Sequence, residues 1–183
     1  MSTFEDNYSI GEELGKGAYA IVYKCTHHKT KKVWAVKVVD KSKAGPKDIN
    51  DVQHEVTMMK TIGSHPHVVQ LHEFFDTPKS MYLILDILEG GMLFDRIVKL
   101  KHYSEKDASR LVKNFLMALE HIHSKGIMHR DLKPENLLLK RNTGDDASHL
   151  TDVALADFGL AGRVPGQTCC GSPSYIAPEV INV

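Results

Sequence analysis

Eight consecutive residues, His129-Arg130-Asp131-Leu132-Lys133-Pro134-Glu135-Asn136, constrain this chain more than any other stretch. The interval from Asp131 to Asn136 suits one loop turning back on itself, and Pro134 stiffens it by fixing φ. Apolar Leu137-Leu138-Leu139 follows at once, so a polar loop must feed a short apolar segment. Two further strings lie downstream, Asp157-Phe158-Gly159 and Ala177-Pro178-Glu179, and the sequence stops at Val183.

At 183 residues the chain has room for one large domain or two small lobes. It is 42% apolar and 25% charged, enough to bury a core. Basic and acidic residues balance at 23 each, so neither nucleic acid nor an anionic membrane is expected as a partner. Cys25, Cys169 and Cys170 cannot all pair within one chain. A reduced, intracellular setting fits them, and a cytoplasmic or nuclear location is expected. The start, Met1-Ser2-Thr3-Phe4-Glu5-Asp6, is acidic and has no apolar core, unlike a secretory signal. No apolar run approaches the ~18 residues of a membrane span. Internal repeats and low-complexity segments are absent. Eleven histidines invite a zinc reading, but no Cys-x-x-Cys accompanies them. His121 and His123 fall two apart in a helical pattern and do not face each other, so scattered structural histidines are expected.

The first part reads as strands: Tyr8 to Leu14, Ala20 to Cys25, Val33 to Val39, Val68 to Phe75 and Met81 to Ile87. One helix interrupts them, since Ile49, Val52, Val56 and Met59 recur at steps of three and four. The later part turns helical. Leu93 to Leu100 is a short candidate, and Ser104-Glu105-Lys106-Asp107 reads as a capping box. Ala108, Leu111, Phe115, Leu119 and Ile122 then line one face before Gly126. The class is α+β, with an antiparallel β lobe carrying one helix over 8–87 and a mainly helical lobe over 88–183. Gly90 and Gly91 suit a hinge, and clefts between lobes are favoured ligand sites. The polar stretch from Lys140 to Asp152 is expected to be a solvated loop, without the ligand spacing of a calcium site at Asp145 and Asp146.

Gly15-Lys16-Gly17-Ala18-Tyr19-Ala20 lies between two strand patterns. Its glycines allow close approach to phosphates, though a plain hairpin could use them too. A dinucleotide fold would need a helix next, whereas Ile21-Val22-Tyr23-Lys24-Cys25 reads as strand. Lys37 sits in the apolar run Trp34 to Val39, where it either snorkels from an edge strand or meets a carboxylate. Glu55 falls beside Val52 and Met59 on the apolar stripe of the helix. An acid there is costly unless paired, so a Lys37–Glu55 ion pair is expected.

Asp131 can orient a substrate hydroxyl and accept its proton. Lys133 can neutralise charge on a moving phosphoryl group. Asn136 and Asp157 offer the hard oxygens that Mg²⁺ prefers. These are the parts of phosphoryl transfer. With them in view, the chain resembles the eukaryotic protein kinases from Leu14 to Glu179. Lys133 two residues after Asp131, and Gly171-Ser172-Pro173-Ser174-Tyr175, resemble the serine/threonine branch. Glu89-Gly90-Gly91-Met92-Leu93-Phe94-Asp95-Arg96-Ile97 is most similar to the calcium/calmodulin-dependent group.

The resemblance implies a serine/threonine kinase that takes ATP and Mg²⁺ and acts on protein hydroxyls. It places Leu14, Val22 and Ala35 around the adenine, with the backbone of Asp86 and Leu88 on its edge and Leu85 as gatekeeper. It sets Gly15, Lys16, Gly17, Ala18, Tyr19 and Ala20 over the phosphates, with Lys37 gripping them. Thr168 matches the activation-loop site of an upstream kinase, and Arg130 would pair with its phosphate. Gly162 stands where relatives often carry a second basic residue, which implies weaker phosphate anchoring. Met92 replaces a common glutamate, leaving Glu135 as the candidate for a substrate arginine. Family members carry further helices after Ala-Pro-Glu, and those of this group a calmodulin-binding tail. Neither is in this sequence, so an incomplete helical lobe is expected. The competing function is therefore a catalytically inactive, kinase-like binding module.

Overall fold

The computed structural model describes residues 2–17, 19–99, 104–141, 151–164, 166 and 169–181. Ala18, Leu100, Asp145, Asp146 and Thr168 lie outside the described residues. The chain divides into two compact units, residues 1–57 with 70–87, and residues 58–69 with 88–183.

Alternating apolar residues build the first unit around an antiparallel five-stranded sheet. Its strands are β1 (Tyr8–Lys16), β2 (Ala20–His27), β3 (Val33–Asp40), β4 (Leu71–Asp76) and β5 (Ser80–Leu85), in the order β1-β2-β3-β5-β4. Strand alternation splits the core in two. On one face Ala20, Val39, Met81 and Leu83 pack with Val52 and Val56 of helix α2 (Pro46–Ile62). On the other face Val36, Cys25 and Ile84 pack with Phe4 and Tyr8. Phe4 comes from a short helix α1 (Phe4–Asn7), which Thr3 and Asp6 close with a reciprocal capping box. Its ring stacks on Tyr82 at 4.3 Å and on Tyr8 at 5.5 Å. One aromatic in an acidic tail shows no period, so this helix was not visible in the sequence pattern.

Two strand expectations shift. Val68 forms only an isolated bridge with Leu155, and the Val69 N–H donates to the Leu155 carbonyl at 2.9 Å, so β4 begins at Leu71. At the other end the Asp86 N–H turns to the Gln70 carbonyl at 3.2 Å, which ends β5 at Leu85.

In the second unit the helices are α3 (Leu93–Lys99), α4 (Glu105–Ser124) and α5 (Pro178–Ile181). Of the stripe that the spacing predicts on α4, Leu111 and Ile122 are buried while Ala108, Phe115 and Leu119 are half-buried, and the small Ala118, outside that stripe, is buried as well. Ser104 caps α4 by accepting from the Asp107 N–H at 3.1 Å, and its hydroxyl donates to the Asp107 carboxylate at 2.6 Å. Gly126 follows at φ +68°, a left-handed helix end. Short strands β6 (Gly91–Met92), β8 (Leu137–Leu139) and β9 (Val153–Leu155) form one sheet. A second pairs β7 (Ile127–Met128) with β10 (Gly162–Arg163).

Residues 58–69, expected in the first lobe, group with the second unit. The end of α2 and its following loop are tied there: His121 Nε2 meets the Ile62 carbonyl at 2.8 Å, and His67 Nδ1 meets that of Val153 at 2.9 Å. The role of Gly90 also differs from a flexible hinge. Its N–H donates to the Leu139 carbonyl at 3.0 Å, and a Cβ there would come within 2.4 Å of the Leu139 Cβ. Close backbone packing, not mobility, requires glycine at this position.

Candidate active site

In the first unit Lys37 lies on β3, the central strand, which removes the edge-strand reading. It stands opposite Val22 on one side and Leu83 on the other, and Val22 stands opposite Gly15. Its ammonium meets both oxygens of Glu55, at 3.0 and 2.7 Å. Glu55 is 4% exposed. A carboxylate so buried needs a cation, and the bidentate contact supplies one. The same register sets Ala35 opposite Leu85, one residue before Asp86.

Leu14, Gly15, Lys16 and Gly17 are exposed on β1 and the turn after it, where the Gly17 N–H donates to the Ala20 carbonyl at 2.7 Å. Tyr19 is half-buried against the core face that holds Ala20 and Val39. A strand, not a helix, follows these glycines. Leu88 belongs to the second unit and Asp86 to the first.

The second unit assembles the loop after β7. Asp131 is buried, and both its oxygens are engaged. Oδ1 accepts the Ser172 N–H at 2.9 Å and the Ser172 hydroxyl at 2.7 Å. Oδ2 faces the Lys133 ammonium at 2.8 Å, and Lys133 also donates to the Ser172 hydroxyl at 2.8 Å. Burial alone would raise the Asp131 pKa. The Lys133 ammonium and the two Ser172 donors outweigh it and hold the carboxyl at about 2. The hydrogen bond to Asp131 pushes Lys133 up in turn. So low a pKa keeps the carboxyl ionised at neutral pH, an acceptor for hydroxyl and ammonium donors.

Asn136 closes the loop by donating its Nδ2 to the Asp131 carbonyl at 2.8 Å and to Oδ2 at 3.2 Å. Its Oδ1 is the acceptor end of the same amide. His129 is buried and its pKa is lowered by burial. Its Nδ1 accepts the Asp131 N–H at 3.3 Å, so Nε2 carries the proton donated to the Ala156 carbonyl at 2.9 Å. One neutral ring therefore links the Asp131 loop to the segment leading into Asp157. The His129 ring also meets Phe158 edge-on at 5.0 Å.

Asp157 and Arg130 both take positive φ, at +62° and +66°. Side-chain-bearing residues hold this conformation only where their surroundings enforce it. The Arg130 guanidinium donates to the Leu160 carbonyl at 2.7 Å and that of Ala161 at 3.4 Å. A Cβ on Gly162 would lie 2.6 Å from the Arg130 Cζ, so this glycine makes the space the guanidinium fills. Arg130, Asp131, Gly171, Ser172, Tyr175 and Ile176 line a cavity beside the loop.

Asn136 Oδ1 and the Asp157 carboxylate are hard oxygen donors on neighbouring segments of one unit, a set that fits Mg²⁺ completed by phosphates and water. Among the described residues, no three His, Cys, Asp or Glu gather as a metal cluster. Sequence reasoning quoted Ser172 only within the string Gly171 to Tyr175 and missed its contact with Asp131. Its position before Pro173 in a serine-rich string was the available signal, but its contact with Asp131 spans 41 residues.

Comparison with known proteins agrees with this constellation. The protein kinase domain matches residues 8–183. Myosin light chain kinase A of Dictyostelium discoideum is 46% identical over 187 residues, covering 100% of this chain and 61% of its own length. A probable myosin light chain kinase of the same organism is 44% identical over 181 residues, covering 96% of this chain and 54% of its own length. The human serine/threonine-protein kinase DCLK3 is 43% identical over 180 residues, covering 97% of this chain and 27% of its own length. This chain thus spans about half, or less, of most of the relatives it matches, and it belongs to the protein kinase family.

Proposed function

We propose that this chain transfers the γ-phosphoryl group of ATP to Ser or Thr hydroxyls of protein substrates. A protein kinase domain implies ATP as donor and Mg²⁺ as its partner. The observation that carries the reading is Asp131, held on one oxygen by Ser172 and on the other by Lys133, with Asn136 pinning its backbone. In this reading Asp131 orients the acceptor hydroxyl and Lys133 steadies the transferring group. Asn136 and Asp157 hold Mg²⁺, which when bound offsets phosphate charge. Lys37, fixed by Glu55, grips the phosphates below Gly15, Lys16, Gly17, Ala18, Tyr19 and Ala20. Leu14, Val22, Ala35, Asp86 and Leu88 receive the base.

Substrate preference follows Glu135. Its Oε2 is buried without a hydrogen-bond partner, the lone such side-chain atom among the described residues. An unpaired buried carboxylate oxygen favours a cation, which supports an arginine upstream of the acceptor. Thr168 is assigned to an upstream kinase, with Arg130 as the receiver of its phosphate. A reducing, intracellular location goes with the exposed, unpaired Cys169. The inactive binding module has no specific observation in its favour.

The test is a thermal melt. Mg-ATP is expected to raise the melting temperature, and Asp157→Ala to abolish the rise. An equal rise in the variant would refute the metal role.

A further inference from the structure

The ATP-site reading uses the backbone of Asp86 and leaves unassigned its side chain and the His72 imidazole that meets it. His72 lies where the register between β4 and β5 slips, since Leu71 faces Leu85 but Glu73 faces Ile84. The slip inserts His72 as the extra residue of a β-bulge. Bulges re-aim a side chain and recur beside active sites. Here the re-aimed imidazole reaches Asp86, the residue just past the end of β5, with Nε2 2.7 Å from Oδ1. The other oxygen, Oδ2, accepts the Gln70 N–H at 3.1 Å. The Asp86 N–H donates to the Gln70 carbonyl at 3.2 Å. Three atoms of one residue are thereby tied to residues 70 and 72. The imidazole is itself backed by the Trp34 ring, with centroids 3.9 Å apart and the rings tilted by 47°, and Lys32 Nζ lies 3.8 Å from the Trp34 ring centroid.

Because the Asp86 N–H is consumed internally, its carbonyl is the backbone group residue 86 has to offer a base. A carbonyl accepts from the 6-amino group of adenine and repels the 6-oxo group of guanine. Discrimination of this kind depends on how firmly the acceptor is held. We propose that His72 is a positioning residue: the bulge at residues 71–73 aims it to clamp Asp86, and the clamp sets the preference of the site for adenine over guanine nucleotides. This rests on the ATP reading above.

The test measures Mg-ATP and Mg-GTP dissociation constants by calorimetry on the full chain, with a thermal melt of each variant. His72→Leu is expected to weaken ATP about five- to tenfold, the scale of one partly exposed hydrogen bond to a charged group, and to lower the ATP-to-GTP preference by a similar factor. His72→Gln keeps an N–H donor and is expected to recover most of both. Asp86→Asn keeps an oxygen for His72 and is expected to fall between. A His72→Leu chain that melts lower but keeps the wild-type ATP-to-GTP ratio would reduce the pair to a structural contact and overturn the proposal. Wild-type ratio and affinity with an unchanged melt would overturn it equally. A wild-type chain that binds neither nucleotide would instead defeat the ATP reading, and the proposal with it.

Discussion

Two lysine–carboxylate pairs carry the candidate site, and they are built in opposite ways. Lys37 and Glu55 sit on a central strand and a helix, each fixed by its own backbone ladder, and their contact is 2.7 Å at its shortest. Asp131 and Lys133 are two residues apart on a loop and meet at 2.8 Å. No ladder holds that loop in shape. Instead Ser172, Asn136 and His129 each hydrogen-bond into it. The first pair borrows rigidity from regular structure, while the second obtains it from polar contacts that single substitutions can remove. A framework pair should therefore fail mainly in stability, and a loop pair mainly in chemistry.

The sharpest break is Asp131→Ala. Phosphotransfer to a Ser/Thr peptide should drop by roughly 10²–10⁴-fold, the range of general-base contributions, with ATP affinity nearly unchanged. Turnover retained by this variant would refute the assignment. Lys37→Met comes next, because it strands Glu55 as a buried charge. A loss of about 2–4 kcal/mol in denaturant unfolding is expected, and Lys37→Met combined with Glu55→Leu should regain much of it. A double variant no more stable than the single one would show that Glu55 never needed the cation. Ser172→Ala should cost about tenfold in turnover and about 1 kcal/mol in stability, with Ser172→Thr close to wild type. Equal loss in both would point to shape rather than the hydroxyl.

The smallest effect is a pH dependence that leaves the loop pair untouched. Burial lowers the folded pKa of His129 and His65. Their contribution is present above the unfolded value near 6.5 and is lost as pH falls through the folded values. Asp131, held at about 2, contributes above its ordinary value near 3.8 and loses that only as pH falls toward 2. Melting temperature should therefore decline from pH 7 to 5.5, by less in His129→Phe, with Asp131 playing no part in that window. A flat profile would contradict the buried-histidine account.

Much of this contrast was legible beforehand. Lys37 stood out as a cation in an apolar strand and Glu55 as an acid on an apolar stripe, because period alone shows when a charge is out of place. The Asp131 loop was legible as chemistry, since its residue types fit one task. Its supports were not. Ser172 reaches Asp131 across 41 residues, a distance over which no local pattern speaks. The bulge at His72 was hidden for the related reason that register belongs to two strands at once. Phe4 gave no signal because a single aromatic carries no period, and Gly90 misled because glycine serves both mobility and close packing.

Trp34 is the sole tryptophan of the chain, and its ring rests against His72. Indole emission responds to the charge and motion of an imidazole in ring contact. The chain thus contains its own optical reporter, free of any label and free of competing tryptophan signal. Adding nucleotide should change the colour or intensity of that one fluorophore, and the response should vanish in Trp34→Phe.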